Sequence, residues 1–365
     1  MKLLILFALM LSPVAFAKRE LIARAGDRDG HPARPLCFFS NHKLTAFKGE
    51  LLVKYTCLGA EDVEQELWRL GKTPKLLLRS SPGQLLGDPI VSRDDIFVVE
   101  FSEMKAEVLW QLGSAQRSHK IPGDLRFVAD GVALGDEHLR LRVTDDAGNS
   151  TTREWLRGTW LAGPERQVSY YFSPAASSEI SLQKLRLGAS GEWDEARPDV
   201  IELAQAPEFK PQIVLSDRDA DPASPWLGFW NFSVVNGSRW MVIARSDAGP
   251  VALSGEGRAH RVIKLYEHLR DLDFWPGAVG ENGKAIVRGT SHSGQYGLWE
   301  VDTAARLLLK LDDPVATDLG LARVGPVLFY TAPLAMSGKV FIGTGLVEWG
   351  SSTSFGQGIL AVSRD

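Results

Sequence analysis

Two cysteines, Cys37 and Cys57, are all that the 365 residues contain. Their spacing is not C-x-x-C and no histidine pair sits nearby, which argues against a redox or metal pair. No basic run or stripe is present, and the net charge is −4 with both signs intermixed. A nucleic-acid partner needs phosphate-neutralising Lys and Arg, so that class is set aside, and anionic membrane surfaces with it. After the first 17 residues no stretch is long and apolar enough to span a membrane as a helix, which takes about 20 residues. No Pro/Gly/Ser linker, low-complexity tract or shift of composition divides the chain. One domain over residues 18–365 is therefore expected. Helical periodicity is nearly absent; segments 61–70 and 262–272 are the exceptions, and both fit better within a repeat of strands.

What is present is that repeat. A strand-like run is followed by a polar turn and then an apolar-Trp pair, most clearly in Lys284-Ala285-Ile286-Val287-Arg288 and Gly297-Leu298-Trp299. Second-strand starts are expected at Glu50, Asp95, Glu137, Glu179, Arg239, Lys284 and Lys339, which lie 42 to 60 residues apart. A strand-built period near this length marks a β-propeller. The expected fold is all-β, with seven blades, six being the alternative count because the fourth register is the weakest. The Trp phrases follow at Trp68, Trp110, Trp155 and Trp299, with degenerate versions at Trp193, Val251-Ala252 and Ile359-Leu360. A blade hides its faces against its neighbours, so these Trp side chains are read as packing.

A further strand follows most Trp phrases, as at residues 75–79, 261–265 and 306–310. None follows Ile359 to Asp365, yet one stands at Glu20 to Arg24. The N-terminal strand is therefore expected to complete the last blade, which removes two exposed edges. Cys37 lies near the start of blade one's first strand and Cys57 near the end of its second, so antiparallel pairing predicts a Cys37–Cys57 disulfide. Residues 1–17 read as a signal peptide: Lys2, an apolar run from Leu3 to Leu11, and Ala15-Phe16-Ala17 as a small-x-small cleavage site. Export to the periplasm or beyond is expected, as a monomer.

Chemistry is harder to find. The seven histidines form neither H-x-H nor H-E-x-x-H, and G-x-S-x-G is absent. Ser291-His292-Ser293 falls between strands of blade six and reads as a hairpin turn, because adjacency along the chain is not triad geometry. The Asp145-Asp146 and Asp312-Asp313 pairs read as turns for the same backbone reasons that favour Asp there. Asp217, Asp219 and Asp221 alternate like the opening of a calcium loop, but Pro222 stands where Gly is needed and Gly228 where Glu is needed. An acidic loop without an ion is expected, with calcium the alternative; no other cofactor is called for. The same insertion continues through Trp226, Phe229, Trp230 and Phe232. Exposed aromatics beside carboxylates suit stacking on sugar rings, whereas Trp230 and Phe232 also fit a buried first strand of blade five. Trp349, in the long turn of blade seven, is a second loop candidate. The binding candidates are thus Asp217, Asp219, Asp221, Trp226, Trp230 and Trp349.

The phrase from Gly280 to Val287, followed by Gly297-Leu298-Trp299, resembles a repeat of bacterial exported proteins named for an N-x-x-G-x-x-A-F pattern. Gly283 matches, while Gly280 replaces the Asn and Ile286-Val287 replace the Ala-Phe. Leu298-Trp299-Glu300-Val301-Asp302 is similar to the strand phrase of TolB-like and prolyl-peptidase-like propellers. The WD40 pattern lacks its Gly-His and Trp-Asp pairs here. The resemblance implies a propeller and carries no defined activity or catalytic residue. The functional expectation is an exported, non-catalytic propeller that binds a cell-envelope protein or a glycan on one face. The alternative is a glycan lyase or hydrolase whose residues converge on the central channel from several blades.

Overall fold

A computed structural model describes residues 18–25, 37–40, 44–58, 63–102, 105–122, 125–135, 137–145, 150–161, 180–183, 200–205, 211–216, 228–234, 239–246, 248–256, 259–273, 277–280, 282–317, 319–325 and 331–364. These residues form seven antiparallel sheets. In the first, Cys37–Phe39 and Thr45–Phe47 both pair with Glu50–Leu58, followed by Val63–Leu70 and Lys75–Arg79. The sixth is built alike: Leu269–Leu272 and Ala278–Val279 pair with Ala285–Ser291, then Tyr296–Val301 and Ala305–Lys310. The turns are local and cheap. Lys48-Gly49, Arg157-Gly158 and Ser337-Gly338 all have positive φ at both positions, the two-residue geometry that matches strand twist.

The second strands Glu50–Leu58 and Ile96–Ser102 and the start of Ala285–Ser291 are nearly continuous apolar runs, and the packing explains why. Leu52 belongs to a cluster shared with Ile96 and Val98 of the second sheet, while its neighbour Val53 belongs to one shared with Phe341 and Ile359 of the seventh. Ile286 and Val287 likewise face the seventh and fifth sheets respectively. A strand covered on both faces has no polar side, so alternation disappears. Outer strands such as Gln116–Lys120 are mostly exposed.

Trp68 and Trp299 are 8 % exposed and Trp155 is fully buried, as expected for packing side chains. Six of the seven expected second-strand starts fall within one residue of the start of an interior strand of a sheet: Glu50, Ile96, His138, Arg239, Ala285 and Lys339. The fourth differs. Glu179 immediately precedes Ile180–Gln183, an edge strand of its sheet that contacts the Leu125–Gly135 and Gly228–Val234 strands, while Val200–Gln205 occupies the centre.

Each sheet contacts the next, and strands of the seventh contact Cys37–Phe39 of the first. In the seventh sheet Lys339–Glu348 pairs with Ser354–Ser363, and Arg19–Ala25 pairs with Ser354–Ser363 on its other side. The register sets Glu20 opposite Ala361 and Arg24 opposite Gly358. Lys339 Nζ lies 2.8 Å from Glu20, and Arg19 lies 2.8 Å from Asp313. The Cys37–Cys57 disulfide is formed, between residues directly opposite in register. The 1–17 segment lies outside the described residues. Among those described, no helix is long and apolar enough to cross a membrane.

Candidate functional site

Trp349 follows the Lys339–Glu348 strand in the turn that leads to Ser354–Ser363. The turn is braced: Glu348 N donates to Thr353 O at 2.9 Å, and Gly350 takes a positive φ of 74°. Trp349 N donates to Leu321 O at 3.1 Å, which ties the turn to the Gly320–Val324 strand. Arg323 Nη2 donates to Ser351 O at 3.2 Å on the same side. The Trp349 side chain is 50 % exposed, and Leu321 beside it is 47 % exposed. A braced turn thus presents a large amphipathic ring and a Leu to solvent, whereas Trp68, Trp110, Trp155, Trp160 and Trp299 lie deeper.

Trp230 lies in the Gly228–Val234 strand opposite Ile243, with a bulge before Phe232, so the strand alternative holds for its backbone. Asp217, Asp219, Asp221 and Trp226 lie outside the described residues.

Ser291, His292 and Ser293 form the expected hairpin turn. His292 Nε2 is 2.9 Å from the Tyr266 carbonyl, while the Ser291 and Ser293 hydroxyls bond each other at 2.8 Å. His292 therefore bridges to the fifth-to-sixth sheet connection and activates neither hydroxyl. Asp313 is buried against Arg19, and Asp312 pairs with Arg323. Both carboxylates serve the hairpin that precedes Gly320–Val324. Among the described residues no three His, Cys, Asp or Glu side chains converge as metal ligands would.

One chemistry-bearing cluster was not legible locally. Tyr296 Oη donates to Asp273 Oδ2 at 2.7 Å, and Arg288 Nε lies 3.6 Å from the same oxygen. Arg288 is 2 % exposed, and burial pulls its pKa down from the usual arginine value. Burial, followed by the hydrogen bond and charge of Asp273, pushes the Tyr296 phenol well above its usual value of 10. Arg288 and Tyr296 come from two strands of the sixth sheet and Asp273 from the break just after Leu269–Leu272, so no spacing announces them. The available signal is Arg288 itself, a charge inside the apolar run Ala285-Ile286-Val287.

Two clefts open between neighbouring sheets at the strand ends opposite the Trp349-type turns. The first, of about 800 Å³, lies between the first and second sheets, with Phe47, Leu76 and Leu112 on its walls. Its charges are matched: Lys48 pairs with Asp94 at 3.0 Å and Arg69 with Glu50 at 2.9 Å. The second, of about 400 Å³, lies between the sixth and seventh sheets around Glu300.

No protein-family model and no curated protein matches the chain. Solved structures do. The β-propeller domain of the Trilobed protease from Pyrococcus furiosus, described as having an open velcro topology, aligns with a TM-score of 0.51 at 9 % identity, over 90 % of this chain and 94 % of that one. A Mycobacterium tuberculosis puromycin-hydrolyzing peptidase aligns at 0.48 and 14 % identity, over 87 % of this chain and 52 % of that one. The polysaccharide lyase Uly1 aligns at 0.43 and 9 % identity, over 95 % and 98 %. The first of these likenesses supports a propeller fold, and at such identities it speaks to fold alone.

Proposed function

We propose that this all-β chain is an exported, single-domain, seven-bladed propeller, closed by its N-terminal strand, that binds a cell-envelope protein or a glycan on the face bearing Trp349. Seven sheets, each in contact with the next and the last with the first, support the blade count and the closure. The signal-like first 17 residues and the disulfide support export, since such bonds persist in oxidising compartments. The observation that carries the binding reading is the half-exposed Trp349 held beside exposed Leu321 on a braced turn. Rigid exposed aromatics are favoured anchors because they bury much area at little entropic cost. The insertion with Asp217, Asp219, Asp221 and Trp226 enters Gly228, opposite Arg245, at the strand end that also carries the turn between second and third strands. That end corresponds to the Trp349 end of the seventh sheet, so we assign the insertion and Trp230 to the same binding face.

The test is a glycan array beside a pull-down from envelope extracts, run with the parent and with Trp349→Ala. A ligand held by the parent and weakened about tenfold or more in the variant supports the reading. Equal retention by both, at equal melting temperature, removes Trp349 from the site.

A second reading, a glycan-active lyase or hydrolase, is favoured by Tyr296, Asp273 and Arg288, which set a phenol 2.7 Å from a carboxylate oxygen and a buried cation 3.6 Å from the same oxygen. It predicts polysaccharide cleavage that Tyr296→Phe abolishes. No cleavage by the parent across neutral and acidic glycans rules it out.

A further inference from the structure

We propose that the cleft between the sixth and seventh sheets binds a phosphate-like oxyanion. It stands at the far end of the hairpin whose turn carries Trp349: Gly338 just precedes Lys339–Glu348, and Arg364 just follows Ser354–Ser363. The site is therefore separate from the face proposed above, and either can fail alone.

Its centre is Glu300, only 4 % exposed. Arg364 Nε lies 2.8 Å from Oε1, while Arg306 Nη2 at 3.2 Å and Lys284 Nζ at 3.6 Å share Oε2. Three cations thus surround one carboxylate. The nearest acid along the strand, Asp302, is held by Arg261 at 2.9 Å. Arg364 Nη2 reaches the Asn282 amide oxygen at 2.6 Å, and Arg306 Nη2 also donates to the Arg364 carbonyl. Arg306 Nε is shielded from water and has no hydrogen-bond acceptor among the described residues. The Arg306 and Lys284 side chains keep 41 % and 37 % exposure, so both present charge to the cleft.

The cleft between the first and second sheets occupies the matching position and serves as an internal comparison. There Lys48 and Arg69 each have a carboxylate of their own, and no charge is left over beyond Lys75 and Asp95, which balance. Among the described residues that line the second cleft, the balance around Glu300 is three positive to one negative. Like charges held this close repel, and an entering oxyanion relieves that repulsion while giving Arg306 and Lys284 acceptors beyond the one Glu300 oxygen they share. Guanidinium forks with an adjacent ammonium suit a tetrahedral oxyanion. The competing occupant is a carboxylate of Asp365, the next residue, which lies outside the described residues; the experiment separates the two.

Inorganic phosphate is titrated into the full chain at low ionic strength and followed by calorimetry. One saturable site is expected, weakened by added sodium chloride. Arg306→Gln and Lys284→Gln should each weaken it about tenfold or more, the loss of one charged contact. Lys284→Arg, which keeps the charge, should restore it. Lys264→Gln, which removes an exposed cation elsewhere, should leave it unchanged. Because both tested side chains are more than a third exposed, the variants should melt with the parent. A sugar phosphate bound more tightly than phosphate assigns the group to a larger ligand, and equal or weaker binding assigns it to the free ion. The proposal is overturned if the parent shows no saturable site, if Lys264→Gln weakens binding as much as Arg306→Gln, or if binding arises only in Asp365→Asn.

Discussion

The repeating Trp is more than an apolar wedge. Trp68 Nε1 donates to Glu66 Oε2 at 2.8 Å, and Trp110 Nε1 donates to Glu100 Oε2 at the same distance. Glu66 is fully buried and also holds Arg79 at 2.9 Å. A carboxylate in this position reads in a sequence as an outward charge. It is instead the acceptor that lets an indole sit between sheets without an orphaned N–H. Glu66→Ala should therefore lose about 2–4 kcal/mol, because a buried donor and a cation are left without their partner. The measurement is the urea midpoint at unchanged slope. His119 gives a pH prediction. Burial, then the neighbouring Arg117 charge, lowers its pKa from the ordinary value near 6.5. The folded state then binds fewer protons than the unfolded one, so this contribution is whole above pH 6.5. It is lost as pH falls below 6.5 towards the folded value. The melting temperature of His119→Gln should fall less than that of the parent across that window. Parallel curves would show that His119 plays no part in the acid loss.

At the scale of elements, the strands most legible in sequence are those sandwiched between two neighbours. Leu51-Leu52-Val53 and Ala285-Ile286-Val287 are apolar on both faces because two sheets claim them. The Ile180–Gln183 strand was misplaced within its sheet because Glu179 opens no such run. The three-residue Cys37–Phe39 strand is too short to stand on its own hydrogen bonds, and the disulfide fixes its register against Glu50–Leu58. Removing the bridge by Cys37→Ser with Cys57→Ser should lower stability by about 3 kcal/mol, since a separation of 20 residues is no longer closed in the unfolded chain. The check is the shift of the urea midpoint between parent and double variant. Coincident midpoints would mean that the sheet's own packing holds the strand.

At the scale of the molecule, Arg19–Ala25 is the element with most depending on it. It covers the outer edge of Ser354–Ser363, and the Lys339–Glu20 and Arg19–Asp313 pairs pin it there. Deleting residues 18–25 should lower the melting temperature by about 5 °C or more and produce aggregates in size-exclusion chromatography, because an unpaired edge is a template for other chains. A truncated chain that melts with the parent and stays monomeric would break the closed ring proposed above and the blade count with it.

The sequence by itself determined whatever rests on near neighbours and on a regular period. The period of the strand-like runs and the recurrence of Trp were enough for the all-β class and most strand positions, and the pairing of one strand with the next for the Cys37–Cys57 bridge, because each depends on near neighbours. The exposure of Trp349 belongs here too, since a Trp beside Gly350 in a turn has little around it to bury it. Tertiary structure alone decided which charges meet. Asp273, Arg288 and Tyr296 come from two strands of one sheet and the break after a third, and Glu300 gathers Lys284, Arg306 and Arg364 across two sheets. No local pattern carries those encounters, because strand stagger and the stacking of sheets set them, and both are properties of the assembled chain.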